Sequence, residues 1–122
     1  MARKYIVRLE DSGEEYYLEW SSAAGRPSGW GLPYAEFAEE YVRSRGVDSV
    51  ARLSERMARV AVRGTSARFL WVGDLIATNR AGAGESRFSE AQIVEWYCRR
   101  KQEPTEEGEW GDEGGFDWGL LG

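Results

Sequence analysis

The sequence predicts a small α+β domain: an N-terminal β-hairpin and a third strand packed by three or four short helices, followed by an acidic tail. Three observations carry that expectation. Residues 4–10 and 15–22 alternate in polarity about a turn of Asp11, Ser12, Gly13 and Glu14, the period of two paired strands. Tyr34, Phe37, Ala38, Tyr41 and Val42 recur at the spacing of one helix face. Residues 103–122 carry seven acids and no base, which separates an acidic tail from a body of residues 1–102 with formal charge +2.

In the first strand Tyr5, Val7 and Leu9 share one side, and in the second Tyr16, Leu18 and Trp20 do. The opposite side holds Lys4, Arg8, Glu15 and Glu19, which can pair across the strands. Residues 23–32 form a loop, because three glycines and a proline propagate neither a helix nor a central strand. Trp30, between Gly29 and Gly31, can lie flat against a base or a partner, or plug its own core; the plug is the commoner fate.

Pro33 suits the first position of the helix that follows, Arg43 and Arg45 suit its last turn, and Gly46 stops it. That helix is expected to cover the Tyr5, Val7 and Leu9 face. Asp48 then caps a second helix through Val50, Leu53 and Met57. Beyond it Ala58, Val60 and Val62 alternate with Arg59, Ala61 and Arg63, which predicts the third strand over 57–63; a longer helix to Val62 is the competing reading.

A short helical pattern follows in Val72, Leu75, Ile76 and Asn79, then a glycine-bearing loop to Arg87. Ser89 with Gln92 makes a capping box, and Phe88 before it can staple onto Ile93. Ile93, Val94, Tyr97 and Cys98 are the buried stripe of a helix running to about Lys101, and Pro104 prevents its continuation.

Composition removes several kinds of chemistry. Histidine is absent and Cys98 is the only cysteine, so Ser-His and Cys-His pairs, an internal disulfide and multi-cysteine zinc sites are all excluded. Neighbouring acids such as Glu39 and Glu40 diverge by about 100° on a helix and make poor acid–base pairs. No cofactor or metal is expected, and the reading is non-enzymatic. The N-terminal residues lack a signal-peptide pattern and no apolar run nears the roughly 20 residues that span a bilayer, which predicts a cytoplasmic protein without membrane contact.

Two constellations remain. Seven arginines lie in residues 43–68 against Asp48 and Glu55; Arg52, Arg56, Arg59 and Arg63 form a ridge if the segment is one helix. With Arg68 and Trp30 they are the candidate anion- or nucleic-acid-binding residues, although a solvated face is the commoner fate of a charge run. In the tail, Trp110, Phe116, Trp118, Leu120 and Leu121 are set among acids and six glycines, the composition of a short docking motif for a protein partner. The tail can also fold back on the arginine face. The loop before Ser89 offers a weak anion cradle, without the spacing of a phosphate loop.

An acidic tail with terminal aromatics beside a basic body is similar in layout to bacterial and phage single-stranded DNA-binding proteins, whose tails recruit enzymes and compete with DNA. The body lacks the successive strands of their OB fold. Across residues 5–100 the series Tyr-Tyr-Leu-Glu-Trp-Ser, Arg-Gly-Thr-Ser, Asn-Arg-Ala-Gly and Phe-Ser-Glu-Ala-Gln-Ile-Val-Glu-Trp-Tyr-Cys resembles small accessory proteins of actinobacterial phages. That resemblance implies a binding protein in a host cytoplasm, acting as inhibitor or recruiter through protein–protein contact. Single-stranded nucleic-acid binding and a structural role in the virion are the alternatives.

Overall fold

A computed structural model describes residues 3–105. Strands β1 (Lys4–Asp11) and β2 (Glu14–Ser21) pair antiparallel, Asp11 opposite Glu14, around a two-residue turn. Ser12 and Gly13 both have positive φ, 55° and 80°, the requirement of a turn whose twist matches its strands. The sheet's third strand is β3 (Arg26–Pro27), a two-residue edge paired with Trp20 and Ser21, where a proline is tolerated.

The third strand expected over 57–63 is instead helix. Helix α1 (Tyr34–Arg45) is followed by α2 (Ser49–Arg63), the competing reading, with Leu53 and Val60 buried and Val62 exposed. Leu53, Met57 and Val60 keep the helical period, and burial of that stripe outweighs the local alternation. Gly64, at φ 77°, ends α2 and turns the chain back to the sheet. The extended piece therefore comes one turn later: Arg8 N donates to Gly64 O at 2.9 Å and Ser66 N to Ile6 O at 2.9 Å, so residues 64–66 run along the outer side of β1.

Both faces of the hairpin are covered. Val7, Leu9, Leu18 and Trp20 pack with Phe88, Ile93 and the C-terminal helix, together with Leu75 of α3 (Val72–Ala77). Ile6 and Tyr17 on the other face pack with Phe37 and Tyr41 of α1 and Leu53 and Val60 of α2. Helix α1 thus covers the face opposite the one expected. The hairpin's charges are drawn outward rather than across: Glu19 pairs with Arg45 at the end of α1, and Arg99 pairs with Asp11 and Glu14, whose like charges face each other.

Helix ends follow local chemistry with two exceptions. Pro33 precedes α1 as its N-cap rather than opening it, and Asp48 makes no side-chain cap; Ser49 Oγ instead donates to Gly46 O at 2.6 Å. The capping box is formed: Ser89 N donates to Gln92 Oε1 at 2.8 Å and Gln92 N to Ser89 Oγ at 3.2 Å. Helix α4 (Glu90–Ile93) then continues as a π-helical stretch, Val94–Arg100, ending at Lys101 in the left-handed region. Hydrogen bonding to the fifth residue widens the turn, and Trp96, Tyr97 and Cys98 are all buried. Packing continues past the helix: Glu103 pairs with Arg26 at 3.1 Å and Pro104 is buried.

Candidate interaction surface

The α2 arginines form the anticipated ridge, but three of them hold the protein together. Arg56 donates to Tyr41 Oη at 2.8 Å and to Lys4 O, tying α1 and β1 to α2. Arg59 Nε donates to Ser66 O at 2.8 Å, and Arg63 reaches Ala67 O and Arg68 O. The segment after Gly64 turns its carbonyls toward the helix, and the ridge is what satisfies them. All three residues are half-buried, which an open phosphate-binding face would not require.

Arg52 and Arg68 are exposed, and with Arg3 and Lys4 they make no ion pair among the described residues. These four cations, joined by the outer faces of Arg56 and Arg59, line a trough of about 620 Å³ in which Glu55 is the sole acid. Exposed apolar side chains lie in it, Phe69 and Leu70, or near it, Trp71 and Val62. Phe69 is 91% exposed, Trp71 beside it 55%, Leu70 37% and Val62 66%. Phe69, Arg59 and Arg68 also border a second hollow of about 420 Å³ against Val62. On the other side Tyr5 and Leu70 are shared with a third hollow of about 390 Å³, which runs past Ser22 to Gly25 and Arg80. The three hollows adjoin through these shared residues, and the basic surface with exposed apolar side chains that they border, the channel, reaches from the α2 flank to Gly25 beside β3.

Sequence reasoning missed Phe69, Leu70 and Trp71. The available signal was a run of consecutive large apolar residues before a helix of only six residues, too short to bury them. Trp30 lies apart from the channel. It is 41% exposed, so it does not plug the core, and it leans on Tyr97 with ring centroids 6.0 Å apart. It borders a separate groove of about 390 Å³ with Leu32, Phe37 and Tyr41, where Glu19 and Glu40 balance Arg45 and Lys101. The tail candidates Trp110, Phe116, Trp118, Leu120 and Leu121 lie outside the described residues.

Other titratable groups are structural. Burial pushes the Cys98 thiol up to about 12, against an ordinary value near 9. Burial also raises Tyr97, whose hydroxyl donates to Ala81 O at 2.7 Å and accepts from Arg26 at 3.0 Å. The loop before Ser89 does not form an anion cradle. Its N–H groups turn inward: Ala81 N and Phe88 N donate to Asn79 Oδ1, and Gly82 N to Ser86 O. Among the described residues no group of three or more His, Cys, Asp or Glu is arranged to hold a metal, and no helix is long and apolar enough to cross a membrane. Comparison with protein-family models, with curated proteins and with solved structures returns no match to this chain.

Proposed function

We propose that this protein is a non-enzymatic binding module whose channel takes an acidic, aromatic-bearing segment of a protein partner. The observation that carries the reading is the Phe69–Trp71 run, three consecutive large apolar residues left open to water and rimmed by cations that have no partner in the described fold. An exposed apolar patch marks an interaction site more often than it marks surplus. Aromatic anchors supply most of the affinity at protein contacts, while surrounding charge steers encounter and selects the sign of the partner. A nucleic acid would want the guanidiniums free for phosphate; Arg56, Arg59 and Arg63 are engaged by carbonyls.

The test is a nuclear magnetic resonance titration of the full chain with a short acidic peptide bearing Trp and Phe, beside a titration with oligodeoxythymidylate. The peptide is expected to move the amide signals of Phe69, Leu70 and Arg52. Replacing Phe69 and Trp71 together by Ser should weaken it at least about tenfold, about 1.4 kcal/mol, without lowering the melting temperature. Tighter binding of the oligonucleotide at the same residues, falling steeply with salt, would replace this reading by the single-stranded nucleic-acid one.

A further inference from the structure

We propose that the resident occupant of the channel is the chain's own segment 106–122, docked in cis, and that an external partner binds by displacing it. The inference rests on the reading above and adds its regulation. Charge is the first argument. The channel carries Arg3, Lys4, Arg52, Arg68 and Arg80 with one acid, Glu55, while residues 106–122 carry six acids and no base. Apolar complementarity is the second: Trp110, Phe116, Trp118, Leu120 and Leu121 stand among those acids, and the exposed Phe69, Leu70 and Trp71 stand beside the cations.

Position is the third argument. The body hands over to the segment beside β3, where Glu103 pairs with Arg26. Arg26 lies opposite Ser21, and Ser21 opposite Lys4, so the backbone of Arg26 is two strand spacings, about 10 Å, from that of Lys4, a channel residue. Gly25 and Arg80 line the β3 end of the channel, and Gly25 directly precedes Arg26, the partner of Glu103. Seventeen residues can extend to about 55 Å, more than the breadth of a domain of this size, whose radius of gyration is near 13 Å.

Tethering then decides the occupancy. At an effective concentration of about 1 mM, the order that a short tether gives, a contact with a dissociation constant of about 0.1 mM is about nine-tenths occupied. A free acidic segment must compete with it and binds about tenfold more weakly than it would to the vacant channel.

The test places a nitroxide on the full chain through Gly119→Cys; Cys98, buried and with its thiol raised, stays unlabelled. The expected result is selective broadening of the Arg52, Phe69 and Leu70 amides at low salt. It should be relieved by about 0.5 M salt and by Phe69→Ser. Broadening absent from those amides overturns the proposal. So does equal broadening of unlabelled chain mixed with labelled chain, which makes a second copy the occupant. The acidic-peptide titration separates the two readings: peptide binding without the cis contact leaves the binding function standing and removes only its regulation.

Discussion

Gly31 and Cys98 meet so closely that a Cβ on Gly31 would lie 2.3 Å from the Cys98 Sγ. The same pair of segments is joined by a hydrogen bond from Gly31 N to Tyr97 O at 2.9 Å. The loop from β3 to α1 is thereby pressed onto the π-helical turn. Gly31→Ala is expected to destabilise by about 1–3 kcal/mol, because the buried Cys98 side chain or the backbone beside it must move. Cys98→Ala in the same chain should recover part of that loss, and a denaturant double-mutant cycle measures the coupling. Additive costs would show that the two residues do not meet.

Asn79 holds the segment between α3 and α4. Its amide donates to Ile76 O at 2.6 Å and Phe88 O at 2.8 Å, while its carbonyl accepts from Ala81 N and Phe88 N. At 3% exposure no water replaces them. Asn79→Ala should cost about 2–4 kcal/mol in urea unfolding, since each buried group left unpaired costs about 1–3 kcal/mol. A cost within about 0.5 kcal/mol would contradict the clasp.

Neighbouring arginines should separate in stability measurements. Arg56→Ala removes bonds to Tyr41 and Lys4 and should cost about 2 kcal/mol, whereas Arg52→Ala and Arg68→Ala should stay within about 0.5 kcal/mol. Thermal melts of the three variants check this. Equal, negligible shifts would return Arg56 to the solvated ridge.

Alkaline pH should unfold the protein gradually. The Cys98 thiol and the Tyr97 phenol are both raised by burial, so the unfolded chain releases those protons at lower pH than the folded chain does. Their contribution is complete below about pH 9, the unfolded thiol value, and declines as pH rises toward the folded values. For one proton the slope reaches about 1.4 kcal/mol per pH unit. In Cys98→Ala the decline should begin about one unit later, where tyrosine titrates. An unchanged onset in that variant would contradict the assignment.

What the sequence disclosed was local. Ser12-Gly13 and the Ser89–Gln92 box involve residues within a turn of each other, and both formed as their side chains dictate. The face covered by α1 was not legible, because the hairpin is apolar on both sides: Ile6 and Tyr17 on one, Val7, Leu9, Leu18 and Trp20 on the other. Choosing between them depends on how α1 and the C-terminal helix share the sheet, a question of chain-wide packing. The arginine spacing revealed a ridge but not the carbonyls of 66–68 beneath it, which Gly64 delivers only after turning the chain. Asn79 looked like the end of a helix, and its four hydrogen bonds go to three residues, Ile76, Ala81 and Phe88, that only the folded loop brings to it.

The outward side of β1 is occupied along most of its length. Ile6 N donates to Ser66 Oγ, Arg8 N to Gly64 O and Glu10 N to Glu90 Oε2, while Lys4 O accepts from Arg56. An unfilled row of such groups is a template on which a foreign strand can grow, the starting point of fibrils and swapped dimers. Here each of those three donors already has its acceptor within the fold, so at these positions the strand offers an incoming chain no free N–H. Along this edge, recognition falls to side chains rather than to the backbone.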